Sequence, residues 1–404
     1  MNPTDVSRAA LAVALPRPAR WLFRLLDRLQ RGTLELQAPD GARFSFAGRE
    51  PGPRAEVRLH DWGVLSLLLR SGDIGFAEAF IDGRWSTPDL TAVLQLALRN
   101  RRALERAIHG HWLGQLFYRL RHWRRANNRA GARRNIEAHY DLGNAFYRAW
   151  LDESMTYSSA LFDGDRRLSL AQAQARKYDR ILDRLAVQAG DEILEIGCGW
   201  GGFAERAARR GAKVRGITLS PSQLAYAQQR FAQAGIAGLA RAELCDYRDA
   251  RGRYDHVVSI EMFEAVGEAY WPAYFSALRD RLRPGGKAVV QTIVIDDALF
   301  ESYRRGTDFI QQYVFPGGML PSPSAFREGA ARAGLTVHDA FAFGHDYART
   351  LACWRERYNA AAAGLRPLGF DPRFERLWNF YLSYCEAGFS AGSIDVIQWE
   401  LRHD

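Results

Sequence analysis

Glycines recur at every second position between residues 197 and 201, directly after an acidic residue. The run reads Glu195-Ile196-Gly197-Cys198-Gly199-Trp200-Gly201. Residues 191–194 before it have the pattern of a short strand, and residues 202–210 after it have the pattern of a helix that ends at Gly211. Glycines on a strand-to-helix turn let a ligand contact the backbone. The pattern is typical of S-adenosylmethionine sites and indicates a methyltransferase.

Similar glycine turns occur in dinucleotide-binding proteins and in turns that bind nothing. The dinucleotide pattern places glycines at the first, third and sixth positions and an acidic residue on the next strand. Here the next strand, residues 212–217, is followed by Thr218. A second signal is the run Leu282-Arg283-Pro284-Gly285-Gly286-Lys287 before the apolar residues 288–295, where this fold class passes into its fifth strand. The two signals together favour S-adenosylmethionine.

Strand and helix patterns alternate from Asn135 onward. This alternation predicts an α/β fold, a Rossmann-like methyltransferase domain with a mostly parallel, doubly wound sheet. Ser220 before Pro221 should cap a helix, which places residues 218–223 at the cofactor edge. A strand over residues 254–260 should deliver Glu261-Met262-Phe263-Glu264 to the same carboxyl edge, where ligands of open α/β sheets bind.

The chain is predicted to divide into three parts. Residues 1–98 combine strand patterns at 33–37 and 42–46 with turn clusters at 38–41 and 49–53, which predicts a smaller N-terminal α+β domain. Residues 99–134 form a basic connector, and residues 135–404 form the methyltransferase domain.

Composition limits the class of protein. A chain of 404 residues with 47% apolar residues is long enough for two domains. No apolar run approaches the roughly 18 residues of a spanning helix, and no secretory signal is recognisable, so a cytoplasmic protein is expected. The cysteines show no paired spacing, which argues against a metal site or a disulfide framework. They are Cys198, Cys245, Cys353 and Cys385.

Positive charge is concentrated between residues 99 and 134. This stretch contains eleven arginines, one glutamate and no lysine or aspartate. Apolar residues recur within it at helical spacing: Leu104, Ile108, Trp112, Leu116, Leu120 and Trp123. A basic amphipathic helix with aromatic residues fits an anionic membrane surface better than nucleic acid. The alternative is a linker helix whose apolar side packs on the protein itself.

From about His139 to its end the chain resembles the cyclopropane-fatty-acyl-phospholipid synthases and the related mycolic acid cyclopropane synthases. The segments that carry the resemblance are His139-Tyr140-Asp141-Leu142-Gly143-Asn144, Tyr157-Ser158, the glycine turn, Thr218-Leu219-Ser220, Met262-Phe263-Glu264 and Phe315-Pro316-Gly317-Gly318. An additional N-terminal domain resembles the branch that acts on phospholipids. The resemblance therefore implies a lipid-associated N-terminal domain and a phospholipid substrate with an unsaturated acyl chain.

The resemblance also implies a cofactor pocket, with Gln223 at the ribose of S-adenosylmethionine and Asp246 and Tyr247 near the adenine. Glu195 would orient the turn or the methionine amine, or would serve only as a charge at the helix N-terminus. The implied pocket comprises Tyr157, Ser158, Glu195, Gly197, Gly199, Gly201, Thr218, Leu219, Ser220, Gln223, Asp246 and Tyr247.

The implied reaction is methyl transfer to a cis alkene, which leaves a carbocation that must lose a proton. The family uses a bound bicarbonate for this, held by a glutamate, a tyrosine, a histidine, a cysteine and a backbone amide. Three of these positions are retained, as Glu264, Tyr347 and the backbone of Ile293. Ser159 stands at the cysteine position and Gln291 at the histidine position. Serine retains an N–H and a hydroxyl, whereas glutamine cannot relay a proton as imidazole can.

A further cysteine, Cys385, aligns with one sometimes proposed as catalytic, although methyl transfer to an alkene requires no thiol and packing is the more usual role.

The leading interpretation is a cyclopropane fatty acid synthase that is peripherally associated with the inner face of the membrane. Removal of a different proton by another base would instead give a methylene- or methyl-branched chain, and the residues Gln291 and Ser159 favour that alternative. A non-catalytic lipid-binding protein is the alternative from another class. The sequence leaves the oligomeric state open, with a homodimer among the states that it allows.

Overall fold

The structure is a computed structural model that describes residues 16–101 and 142–403. Within these ranges the chain forms two compact units. The first unit comprises residues 16–101 and 369–391, and the second comprises residues 142–368 and 392–403. Most of the predicted basic connector, residues 102–134, lies outside the described residues, as does the start of the segment at 139–144.

The described strands and helices follow in chain order. The strands are β1 (Arg31–Gln37), β2 (Arg43–Ala47), β3 (Glu50–Leu59), β4 (Trp85–Ser86), β5 (Glu192–Ile196), β6 (Lys213–Thr218), β7 (Ala240–Leu244), β8 (Tyr254–Ile260), β9 (Leu282–Ile295), β10 (Thr336–Ala342) and β11 (Ile394–Arg402). The α-helices are α1 (Arg17–Leu26), α2 (Gly63–Ile81), α3 (Leu90–Arg99), α4 (Asn144–Arg148), α5 (Leu170–Leu185), α6 (Gly202–Ala208), α7 (Pro221–Gln233), α8 (Trp271–Arg281), α9 (Asp297–Arg305), α10 (Phe309–Tyr313), α11 (Pro323–Arg332), α12 (Gly344–Leu365) and α13 (Pro372–Ser390).

The first unit contains a four-stranded sheet in the order β2-β1-β3-β4. Strand β1 is antiparallel to β2 and parallel to β3, so the predicted α+β class and both predicted strands are confirmed. The turn predicted at residues 49–53 is wrong, because β3 begins at Glu50. The register between β1 and β3 shifts between Arg31 and Thr33. Strand β3 contains Pro51 and Pro53 near this shift, and an irregularity in the ladder accommodates prolines because they have no N–H to donate.

Helix α13 belongs to the first unit, although the sequence analysis placed residues 135–404 in one domain. Thr91 on α3 donates its hydroxyl to the Glu386 carboxylate over 3.1 Å, and the rings of Phe80 and Phe380 lie 5.8 Å apart. These contacts join segments almost 300 residues apart in sequence. No local pattern in the sequence reports such a pairing.

The second unit contains a seven-stranded sheet in the order β10-β11-β9-β8-β5-β6-β7. The five strands from β9 to β7 are parallel, while β11 is antiparallel to both β9 and β10. The predicted α/β fold with a mostly parallel sheet is therefore confirmed. After β5 the chain continues to β6 on one side and later returns to β8 on the other. The carboxyl ends of β5 and β8 thus meet at a topological switch point, where ligands of open α/β sheets bind.

Both faces of this sheet are buried. Leu194 and Val257 point into one apolar cluster, while their chain neighbours Ile193 and Val258 point into another, because side chains alternate along a strand. Helices α8 and α11 cover the first face, and α5, α6 and α7 cover the second. This packing makes the strand ends a rigid support for side chains at the carboxyl edge.

Candidate active site

The glycine turn joins β5 to α6 at this edge. Gly197, Gly199 and Gly201 have φ angles of +83°, +52° and +84°, which L-residues with a side chain rarely adopt. A Cβ atom at Gly201 would lie 2.7 Å from the ring of Phe231, and one at Gly197 would lie 3.0 Å from Met262. Among the described residues, apart from its two chain neighbours, a Cβ atom at Gly199 would meet nothing within 4 Å. Gly199 therefore faces open space, whereas its two neighbours pack against the protein.

Glu195 lies at the end of β5, just before this turn, and is buried, with 3% of its surface exposed. Its carboxylate accepts the backbone N–H of Ala204 in the first turn of α6, and burial raises the pKa of Glu195 well above its usual value. Among the described residues its Oε2 atom has no hydrogen-bond partner. A buried carboxylate oxygen without a donor is costly, so this atom is suited to a ligand ammonium group.

The next strand end carries the segment from Thr218 to Gln223. The Ser220 hydroxyl caps α7 by accepting the N–H of Gln223 over 3.3 Å. The Thr218 hydroxyl donates to Gln223 Oε1 over 2.9 Å. This bond fixes the orientation of the amide and leaves its NH₂ group to donate to a ligand hydroxyl. Leu219, between Thr218 and Ser220 in the chain, is half-buried.

Asp246 and Tyr247 follow β7, the third strand of this side. The Asp246 carboxylate pairs with the Arg248 guanidinium over 2.6 Å. The Tyr247 ring packs edge-on against Tyr274 at 5.6 Å, and burial raises the pKa of Tyr247 to about 12. The adenine contact implied for these two residues stays a prediction.

Tyr157 and Ser158 belong to a segment that packs beside α5. The ring of Tyr157 lies among the rings of Tyr147, Trp150 and Trp354, at 5.5, 5.5 and 5.3 Å. The hydroxyl of Ser158 accepts a hydrogen bond of 2.6 Å from Lys177 Nζ. This connects the segment to a lysine that is completely buried.

The polar groups of this edge fit S-adenosylmethionine. The unpartnered Glu195 oxygen matches the methionine ammonium, and the Gln223 NH₂ group matches the ribose hydroxyls. The open side of Gly199 lies between these two residues in the chain and lets the ligand approach the backbone.

A second carboxylate, Glu261, follows β8 directly and is half-buried. It accepts three hydrogen bonds from distant segments. The donors are the Ser159 N–H at 2.8 Å, the Gln291 Nε2–H at 2.7 Å and the Tyr347 O–H at 2.6 Å. The sequence analysis assigned no role to Glu261. The signal that could have found it is an acidic residue immediately after a strand that ends at the switch point.

Glu264 lies in the short 3₁₀ turn that follows. Its Oε1 atom accepts the backbone N–H of Ile293 on β9, while its Oε2 atom is buried with no partner among the described residues. Burial and the negative charge of Glu261 raise the pKa of Glu264 to about 8. The Ile293 amide, which the resemblance assigned to a bound anion, is therefore engaged by Glu264.

The structure thus sorts the predicted catalytic residues into three groups. Ser159, Gln291 and Tyr347 converge on Glu261, and Glu264 pairs with Ile293. Cys385 lies on α13, which belongs to the first unit.

A chain of side chains holds Gln291 in place. Arg180 Nη1 donates to Gln398 Oε1 over 2.6 Å, and Gln398 Nε2 donates to Gln291 Oε1 over 3.0 Å. With its oxygen occupied, the Gln291 amide presents its NH₂ group to Glu261. This network orients a neutral donor toward the Glu261 carboxylate.

Lys177 supplies positive charge beneath the cluster. Burial lowers the pKa of Lys177 to about 7, against the attraction of Glu261, Asp152 and Glu195. The sequence analysis did not identify this residue, because a lysine within a helix pattern normally predicts an exposed position.

The pKa of Glu264 predicts how stability depends on pH. In the folded protein this carboxyl keeps its proton up to about pH 8, whereas in the unfolded chain it loses the proton near pH 4.3. Its contribution to the free energy of unfolding is complete below the unfolded pKa and is lost, at about 1.4 kcal/mol per pH unit, as pH rises to the folded pKa.

Glu264→Gln should remove this contribution. Urea unfolding between about pH 5 and 8 should give the variant a shallower fall in stability than the wild type. Glu301→Gln, at an exposed position on α9, should keep the wild-type slope. Equal slopes for the wild type and Glu264→Gln would show that the pKa of Glu264 is not raised.

The fold and the glycine turn together define the class of protein to which this chain belongs. A mostly parallel sheet, a glycine turn after its first strand and a fitting set of polar groups at the next strand end are the features of a Rossmann-like S-adenosylmethionine-dependent methyltransferase.

Comparison with known proteins gives the family. Residues 127–399 match the family model of mycolic acid cyclopropane synthetases, and this chain belongs to that family. It is 45% identical over 392 residues to the tuberculostearic acid methyltransferase of Mycobacterium tuberculosis, which covers 93% of this chain and 90% of that protein. It is 32% identical over 348 residues to the cyclopropane-fatty-acyl-phospholipid synthase of Escherichia coli K12, covering 85% and 87% of the two chains.

A solved structure agrees with the fold. The mycolic acid cyclopropane synthase CmaA1, crystallised with SAH and CTAB, is 33% identical to this chain and superposes with a TM-score of 0.63. The match covers 67% of this chain and 97% of that one.

Proposed function

We propose that this protein transfers a methyl group from S-adenosylmethionine to the cis double bond of an acyl chain in a phospholipid. The observation that carries the proposal is the position of the Glu261 cluster. It follows β8, which pairs with β5, the strand that leads into the glycine turn. The proposed cofactor site and a carboxylate able to accept a proton thus follow neighbouring strands of one sheet edge, which supports methylation of an alkene there.

The proposed reaction needs the methyl donor at the glycine turn and a proton acceptor at the Glu261 cluster. When bound, S-adenosylmethionine supplies a methyl group with an electron-poor carbon to one alkene carbon. The π electrons form the new C–C bond, and the neighbouring chain carbon becomes a cation. An aromatic ring with an accessible face, such as that of the half-buried Tyr157, would stabilise such a cation by roughly 1–2 kcal/mol when water is excluded. A base must then remove a proton.

Which proton leaves decides the product. Loss of a methyl proton directly closes a cyclopropane ring. If a hydride first moves from the methylated carbon to the cation, loss of a methyl proton leaves a methylene branch, and loss of a chain proton leaves a methyl-branched alkene. We favour a branched product, because the relative with 45% identity is a tuberculostearic acid methyltransferase and Gln291 cannot relay a proton as imidazole can.

Cyclopropane is the second candidate. It is supported by the family name and by the Escherichia coli relative, a cyclopropane-fatty-acyl-phospholipid synthase. Ring closure competes with the hydride shift, so it requires that the methyl proton leave quickly. An imidazole beside Glu261 would speed proton removal.

The function is tested with purified protein, S-adenosylmethionine and vesicles of an unsaturated phospholipid. We expect S-adenosylhomocysteine to form together with acyl chains one carbon heavier, and gas chromatography of the methyl esters to show branched chains. Gln291→His should raise the share of cyclopropane. The absence of methylated lipid at any vesicle composition would contradict the proposal and favour a non-catalytic lipid-binding protein.

The proposed membrane surface and anion partner are inferred from the sequence alone. Attraction of the arginines between residues 99 and 134 to an anionic membrane surface is proposed from their charge, since only residues 99–101 of this stretch are described. In the described part of the chain, no helix is long and apolar enough to cross a membrane. Bicarbonate is implied by the resemblance alone.

A further inference from the structure

We propose that the Glu261 carboxylate is a built-in replacement for the bicarbonate anion and is itself the base that accepts the proton after methyl transfer. The inference rests on the proposed function. It predicts that this enzyme works without bicarbonate.

The first support is the set of donors. The resemblance assigned the anion to the side chains or backbone of residues 159, 291 and 347, among others. All three of these positions donate to Glu261, at 2.8, 2.7 and 2.6 Å. A carboxylate and a bicarbonate present the same planar pair of oxygens, so donors arranged for one also fit the other. With these donors already occupied, a separate anion would have to displace Glu261.

A second observation in support is the negative charge already present around Glu261. A bicarbonate at this place would bring a second negative charge beside the half-buried Glu261, next to the buried Oε2 atom of Glu264. The attraction of Lys177 is already shared among Glu261, Asp152 and Glu195. Burying another anion without a matching cation is unfavourable.

The third support is the identity of residue 291. The family places a histidine at this position, which can bear charge and relay a proton. Gln291 is a neutral donor whose oxygen is held by Gln398, so its only role toward Glu261 is to donate. A fixed neutral donor suits a permanent carboxylate, because that partner needs orientation rather than capture from solution.

The backbone of Glu261 provides independent support. Its φ angle is +50°, in the left-handed region where a residue with a long side chain costs about 1–2 kcal/mol relative to glycine. Glutamate at this position is unfavourable for the backbone. Its three hydrogen bonds therefore point to a task that the side chain performs.

The proposed step balances. The Glu261 carboxylate has about four lone-pair positions, three of which accept the observed hydrogen bonds, so one remains for a proton. The C–H electrons of the substrate form the new ring bond or double bond and neutralise the carbocation. The proton goes to Glu261, which becomes a neutral acid, and it is released to solvent before the next turnover.

The test begins with the wild type. Its turnover should be the same in buffer freed of carbon dioxide as in buffer with added bicarbonate. Glu261→Gln retains the shape but cannot accept a proton, so turnover should fall by about 100-fold or more, while S-adenosylmethionine affinity measured by calorimetry stays unchanged. Added bicarbonate should not restore it, since the amide still occupies the site.

Glu261→Gly is the matched variant. Glycine suits the φ of +50° and leaves the donor groups of Ser159, Gln291 and Tyr347 around a vacated space. Its turnover should also be low, and bicarbonate or formate should restore part of it in a saturable manner. Rescue of Glu261→Gly but not of Glu261→Gln distinguishes a base from a residue that only supports the fold.

The outcomes separate the two proposals. A wild type that loses activity without bicarbonate, or a Glu261→Gln variant with wild-type turnover, would overturn the role of Glu261 and leave methyl transfer intact. Failure of anions to rescue a folded Glu261→Gly variant would also count against it. A wild type that methylates no phospholipid would instead overturn the proposed function.

Discussion

Gly199→Val is expected to abolish S-adenosylmethionine binding and leave the second unit folded. A Cβ atom at Gly199 would have no described atom within 4 Å beyond its chain neighbours, so we expect a valine side chain there to project into the space that the cofactor needs. We expect affinity to fall by at least about 100-fold, which corresponds to roughly 3 kcal/mol. Calorimetric titration with S-adenosylmethionine measures this loss directly.

Backbone strain requires a matched control. Valine at the φ of +52° is strained, and Gly235→Val introduces a similar strain at a φ of +69°, where a Cβ atom likewise lies within 4 Å of no described residue beyond its chain neighbours. Gly235 lies beyond the C-terminal end of α7, away from the glycine turn. Gly235→Val should lose stability and still bind the cofactor. Equal affinities of Gly199→Val and Gly235→Val would show that the cofactor does not lie at the turn.

Lys177→Met is expected to cause the largest loss of stability. Methionine fills a similar volume, but the change removes a buried cation that attracts Glu261, Asp152 and Glu195. Removing one partner of a buried charge cluster typically costs about 3–5 kcal/mol, because the remaining charges lack compensation. Turnover should fall as well, since without this attraction the pKa of Glu261 rises further and its carboxylate form becomes rarer.

Urea unfolding at about pH 6 measures the loss, because the ammonium form of Lys177 predominates below its pKa of about 7. Lys213→Met on β6 serves as the control, because Lys213 is exposed and its replacement should change stability by no more than about 0.5 kcal/mol. If the two variants were equally stable, the charge of Lys177 would not be what compensates the buried carboxylates.

The sequence by itself determined the elements that form through local interactions. The glycine turn follows from residues within one short segment, because positive φ angles at Gly197, Gly199 and Gly201 are a property of those residues. Alternating strand and helix patterns likewise determined the parallel sheet, since the period of buried residues differs between the two elements. The rule that ligands bind at carboxyl strand ends then located residues 195–201 and 218–223 correctly at one edge.

Only the tertiary structure decided what the carboxylates contact. Glu261 takes its donors from positions 102, 30 and 86 residues away, and no local periodicity encodes such distances. Lys177 is buried because its partners come from other segments, against the usual preference of lysine for the surface. Likewise, α13 packs with α3 in the first unit although the sequence pattern continues the second. Charge compensation and long-range packing act between chain segments, so they become visible only when the fold has brought those segments together.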